Sequence, residues 1–144
     1  MNLINNAAIE PPKPVNEPIL AYTPGSKEKV ELQSALAEMA ATVIDIPVII
    51  GGKEIRTGDL GQAVMPHDHR HVLATYHKAG PEEVRLAIDT AVETRKVWSQ
   101  YRWEERAAVF LKAAELIATK YRAKLNAGAM LAGGKNVFQA EIDA

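Results

Sequence analysis

The stretch Ile44 to Thr57, IDIPVIIGGKEIRT, decides the fold class, because it sets strand signals in a chain that otherwise reads as helical. Ile44 to Ile50 is short and rich in β-branched side chains, which suit a pleated surface. Gly51-Gly52 is a tight-turn pair, and Lys53 to Thr57 alternates in polarity, so the stretch predicts a β-hairpin. Pro47 has no N–H to give to a ladder and puts the first strand at a sheet edge. Working downstream, Gly58, Asp59, Gly61, Pro66 and Asp68 give residues 58–68 a loop composition, and His69 to Lys78 alternates like a third strand.

Helices flank this strand region. Upstream, Ser26 is a good N-cap, and Leu32, Ala35, Leu36, Met39 and Ala40 recur at helical spacing, which predicts a helix over 26–41. Downstream, Gly80-Pro81-Glu82-Glu83 places proline at a first helical position and two acids where the helix dipole favours them. Val84, Ala87, Ile88, Ala91, Val92 and Trp98 then form one apolar face. A further helix starts near Trp103-Glu104-Glu105 and runs through Phe110, Leu111 and Ile117. Another spans 121–132 and ends at Gly133-Gly134, and Asn136 to Ala144 opens one more without any cap after it. The segment is therefore α+β, with three to four amphipathic helices after its strands.

Pro11, Pro12, Pro14, Pro18 and Pro24 crowd the first 24 residues, where they block helix and cannot supply a sheet ladder. Residues 1–24 are expected to be an extended arm, and 25–144 one folded piece. Met1 to Glu10 has no Lys or Arg and matches neither a secretory nor a mitochondrial signal, which makes cytoplasmic residence the expectation.

Composition narrows the function classes. Seventeen Lys and Arg against eighteen Asp and Glu give a formal charge of −1, with no electrostatic footprint for nucleic acid or anionic lipid. No apolar run approaches the roughly 20 residues a membrane span needs. The chain has no cysteine, hence no disulfide, thiolate metal site or thiol nucleophile within these 144 residues.

The candidate chemistry is sparse. His67, His69 and His71 would share one face of a strand, the geometry an imidazole metal site uses, with Asp59 and Asp68 as the nearest further ligands. The competing reading is a polar strand entry whose imidazoles bond backbone and water. Gly133-Gly134-Lys135 invites a phosphate-loop reading, but Ala129 and Asn136 stand where that motif needs glycine and Ser or Thr, so a helix-ending turn is expected. No G-x-G-x-x-G occurs, and no serine sits in a nucleophile elbow. Glu82/Glu83 and Glu104/Glu105 lie in first helical turns, where capping accounts for them; Glu141/Asp143 is a third carboxylate pair. Trp98 and Trp103 flank a helix junction as packing anchors. The residues alone thus assign no catalytic, cofactor-binding or metal-binding position.

The order of Trp98, Trp103-Glu104-Glu105-Arg106, Phe110-Leu111, Ala113-Ala114, Leu116-Ile117 and Leu131 to Lys135 resembles the first helical region of the aldehyde dehydrogenase superfamily. Asn16-Glu17-Pro18, Tyr22, Pro24-Gly25-Ser26, Ile46-Pro47, Met65-Pro66-His67-Asp68-His69 and Gln139-Ala140-Glu141-Ile142-Asp143 resemble one branch of it, the delta-1-pyrroline-5-carboxylate (L-glutamate gamma-semialdehyde) dehydrogenases. The resemblance implies the α/β aldehyde dehydrogenase fold, with residues 25–144 an incomplete N-terminal part of its cofactor-binding domain. It implies an NAD-dependent oxidoreductase that converts the semialdehyde to L-glutamate in proline degradation, through a catalytic cysteine, and a homo-oligomer at full length. By the same resemblance the catalytic residues and the main NAD-binding elements lie beyond this chain, and no role is carried onto Glu141. Alone, the 144 residues are expected to be inactive scaffold. The alternatives are a non-catalytic binding or assembly module on the same scaffold, and a small metal-binding protein using His67, His69 and His71.

Overall fold

The computed structural model describes residues 10–143. Residues 1–9 of the expected arm, and Ala144, lie outside that range. From residue 10 to Tyr22 the chain carries neither helix nor strand, and it reaches the first helix through a turn at Pro24-Gly25.

Ten elements follow. Helix α1 (Lys27–Ala41) leads into β1 (Ile44–Ile46), β2 (Val48–Ile50), β3 (Lys53–Ile55), β4 (Leu60–Met65) and β5 (Asp68–His77). Helices α2 (Pro81–Trp98), α3 (Trp103–Ala118), α4 (Arg122–Gly133) and α5 (Val137–Asp143) complete the chain. The α+β segment and its helices thus match the expectation, and most helix ends have local causes. Ser26 Oγ accepts from the Lys29 amide at 3.4 Å and caps α1. Glu83 and Glu105 reach back to the Gly80 and Arg102 amides at 2.8 and 2.9 Å, so the second acid of each first-turn pair serves as a cap. Gly134, left-handed at φ 64°, ends α4 by donating its N–H to the Met130 carbonyl. Asn136 and Gln139 exchange two side chain to backbone hydrogen bonds, both 3.0 Å, and start α5.

The strands depart from expectation in two ways. Ile44 to Ile50 is not one strand. Pro47 splits it, and the halves join different sheets: β1 lies parallel to β5, while β2 pairs antiparallel with β3 across Gly51-Gly52. Both glycines have positive φ (58° and 76°), as the two-residue hairpin turn requires. A residue without N–H and with a fixed φ is a natural point for the chain to leave one ladder for another. The second departure is that residues 60–65 form strand β4 rather than loop, and the sheet runs β1-β5-β4.

Gly61, one of the glycines that argue for loop, is a packing requirement inside that strand. A Cβ there would lie 2.3 Å from Cζ of Tyr76, its cross-strand partner.

The buried apolar side chains are few: Leu32, Met65, Leu73, Ala74, Ala127 and Ala140. They join α1, α4 and α5 to the β4–β5 ribbon. α1 packs on α4, where Met39 Cε would stand 3.6 Å from a Cβ at Gly128, and α4 touches β4 and α5. The His71 Nε2 donates to the Ala40 carbonyl at 2.8 Å and ties β5 to the end of α1. Helices α2 and α3 have no buried residue at all. The apolar face expected on α2 exists, but Val84, Ile88 and Val92 are each more than half exposed, as is Phe110 on α3.

Candidate functional site

The most organised polar site lies where the arm crosses α4 and α5. Its centre is Glu141, whose side chain is 1 % exposed. A lone carboxylate buried to that degree would be driven towards its neutral form, so its partners matter. Oε1 accepts from the Leu20 amide at 2.7 Å and from Arg122 Nη2. Oε2 accepts from the Tyr22 hydroxyl at 2.6 Å, from Asn126 Nδ2 at 2.7 Å and, at a longer 3.4 Å, from Arg122 Nε. Asn126, itself buried, spends its other amide hydrogen on the Tyr22 oxygen at 2.8 Å, and Arg122 Nη2 also donates to the Pro18 carbonyl at 2.6 Å.

Local structure explains how these groups meet. Arg122 and Asn126 are four apart on α4 and project from one face. Glu141 lies on α5, turned back beside α4 by the left-handed Gly134. Tyr22 stands at φ 52°, uncommon for a side chain of its size, and this bend aims its ring into the helices.

Burial pushes the Glu141 carboxyl up, but the Arg122 guanidinium, the Tyr22 hydroxyl, the Leu20 amide and Asn126 together outweigh it and hold it at about 2. Burial, then the hydrogen bond and charge of Glu141, raise the Tyr22 phenol. Glu141 also raises Arg122 further above its ordinary value. The result is an ionised acid whose acceptor positions are filled. Such a group holds segments together and has no lone pair to spare as a proton acceptor.

The other sequence candidates do not assemble. His67 sits in the exposed turn between β4 and β5, His69 is exposed, and His71 is turned to Ala40. Among the described residues no group of three His, Cys, Asp or Glu could hold a metal ion. His77 accepts from the Gly58 amide through Nδ1 at 3.1 Å and faces Asp45 at 3.4 Å, tying β5 to β1 and the loop before β4. Lys135, of the apparent phosphate loop, pairs with Asp143 at 2.7 Å. Trp98 packs edge-on against Tyr101, centroids 5.7 Å apart, whereas Trp103, the other expected packing anchor, is 46 % exposed. The turn from β5 into α2 is the place where a strand-to-helix phosphate cradle would form. There the Gly80 amide is already taken by the Glu83 carboxylate, an anion where a diphosphate would need a donor. This turn does not fit a dinucleotide.

The sequence marks Glu141 only as one of a carboxylate pair and in a family-like motif, and nothing local gives it this role. Its arm partners stand 119 and 121 residues away, and no periodicity links positions so far apart.

The fold defines a small α+β unit with a helix-stapled arm and two helices that bury no residue. The aldehyde dehydrogenase family model matches residues 56–144, and the chain belongs to that family. It is 49 % identical over 133 residues to the mitochondrial delta-1-pyrroline-5-carboxylate dehydrogenase of Dictyostelium discoideum, covering 92 % of this chain and 24 % of that one. To the enzyme of that name from Agaricus bisporus it is 48 % identical over 139 residues, covering 96 % and 26 %. The crystal structure of the Mycobacterium tuberculosis delta-pyrroline-5-carboxylate dehydrogenase, bound with NAD and cobalamin, superposes with a TM-score of 0.93 at 39 % identity, over 96 % of this chain and 26 % of that one. The chain thus spans about a quarter of the length of the relatives it matches. No helix of the described residues is long and apolar enough to cross a membrane.

Proposed function

We propose that these residues are the scaffold at the N-terminal side of an NAD-dependent L-glutamate gamma-semialdehyde dehydrogenase, which oxidises the semialdehyde to L-glutamate in proline degradation. The observation that carries this is the joint match in sequence and shape over nearly the whole chain: 49 % identity to one enzyme of that name and a TM-score of 0.93 to another. In this reading residues 10–24 form the arm and 25–143 an incomplete part of the cofactor-binding domain. NAD is held chiefly by residues beyond these 144. The full-length enzyme is a homo-oligomer.

The division of labour follows from the residues. Chemistry of this class uses a thiolate to attack the aldehyde carbon and the nicotinamide as hydride acceptor. This chain has no cysteine, its best-built carboxylate is fully hydrogen-bonded, and its strand-to-helix turn opposes a diphosphate. What it contributes is position: a hairpin, a three-stranded ribbon and helices that present apolar faces.

The test is NADH formation, followed at 340 nm. The full-length protein is expected to reduce NAD with L-glutamate gamma-semialdehyde and far more slowly with a short aliphatic aldehyde, while the 144-residue chain gives no rate above buffer. A full-length protein inert towards the semialdehyde would contradict the proposal, and so would turnover by the 144 residues alone.

A further inference from the structure

We propose that residues Pro18 to Tyr22 are a strap that opens as a unit while the helical body stays folded, with Glu141 as its catch. Among the described residues, the strap's hydrogen bonds to α4 and α5 all end on one cluster: Leu20 and Tyr22 on Glu141, Asn126 on Tyr22, and Arg122 on the Pro18 carbonyl, while the Tyr22 main chain also faces Glu28 at the start of α1, beside the hinge.

Two features make opening separable from unfolding. The first is charge balance. Arg122 and Glu141 belong to α4 and α5, so their ion pair and the Asn126 contact stay on the body when the strap leaves. Opening strands no buried charge, the usual obstacle to parting such a cluster. The second is the hinge. On one side of the strap, residues 11–17 are exposed and form no helix or strand. On the other, the chain turns through Thr23 to Ser26, with Gly25 at φ 80° and Ser26 donating to the Thr23 carbonyl at 3.0 Å. That turn belongs to the start of α1 and can stay formed. Tyr22 just before it is held at φ 52°, a conformation that release would relax. Opening would uncover a carboxylate and a guanidinium side by side, groups able to take the amide and carbonyl of an extended main chain, as they now take Leu20 and Pro18.

The Leu20 amide reports the strap directly, because its acceptor is the catch. Amide hydrogen exchange in the full-length protein is expected to show Leu20 exchanging at least ten-fold faster than Ala127 in the middle of α4. Tyr22→Phe removes one contact to the catch and leaves the ion pair intact. It should speed Leu20 by about 25-fold, the effect of losing that bond and the Asn126 bond to the same hydroxyl, without changing Ala127. Glu141→Gln should speed Leu20 further. If that variant does not fold, the wild-type and Tyr22→Phe comparison decides. Leu20 and Ala127 exchanging together in the wild type would overturn the proposal, as would a Leu20 rate unmoved by Tyr22→Phe.

Discussion

Glu141 is an acid that folding can bury because five donor atoms on two segments, the arm and α4, converge on it. Removing the carboxylate by Glu141→Ala leaves the mostly buried Arg122 guanidinium uncompensated. The expected loss is about 3 kcal/mol of stability, read from urea unfolding of the full-length protein. The pH dependence has a definite sign. The carboxyl titrates at about 2 when folded and near 4.5 when free, so its contribution is complete above pH 4.5 and is lost as pH falls towards 2. Acid unfolding of wild type and Glu141→Gln should therefore converge at low pH. A constant gap between them down to pH 2 would contradict the account. Gly61 gives a second residue-scale test: Gly61→Ala drives a methyl into the Tyr76 ring and should destabilise by about 2 kcal/mol in the same urea experiment. Neither role was legible in the sequence. Each depends on a partner brought near by tertiary structure, whereas Ser26, Glu83, Glu105 and Gly134 could be read because a cap's partner lies within four residues.

At the scale of elements, what could be read was what repeats or punctuates. The helical faces have a period, and Gly51-Gly52 and Gly133-Gly134 mark turns, so α1 to α5 and the β2–β3 hairpin follow from the chain itself. β4 was hidden because strand identity is a pairing property. Residues 60–65 read as loop by their neighbours' composition and are strand because β5 lies beside them. Pro47 reads in the sequence only as the mark of an edge strand, and the sheet topology shows that it separates two ladders. The junction between α4 and α5 carries the prediction at this scale. Asn136→Ala removes the acceptor of the Gln139 amide and should cost about 1 kcal/mol, seen as faster amide exchange in α5 with α1 unchanged. Equal protection of α5 in both proteins would argue against the cap.

For the whole molecule, the informative feature is surface. Apolar faces on two long helices without a buried residue suit a partner surface better than water. In the proposed reading, the source of that surface is the three quarters of the relatives' length that this chain does not span. The most direct test compares the isolated 144-residue chain with the full-length protein by calorimetry and by fluorescence of an apolar-surface dye. The account predicts strong dye binding and a broad, weakly cooperative melt for the isolated chain, both replaced by a sharp melt with little dye binding at full length. A sharp, cooperative, monomeric melt of the 144 residues with no bound dye would contradict it.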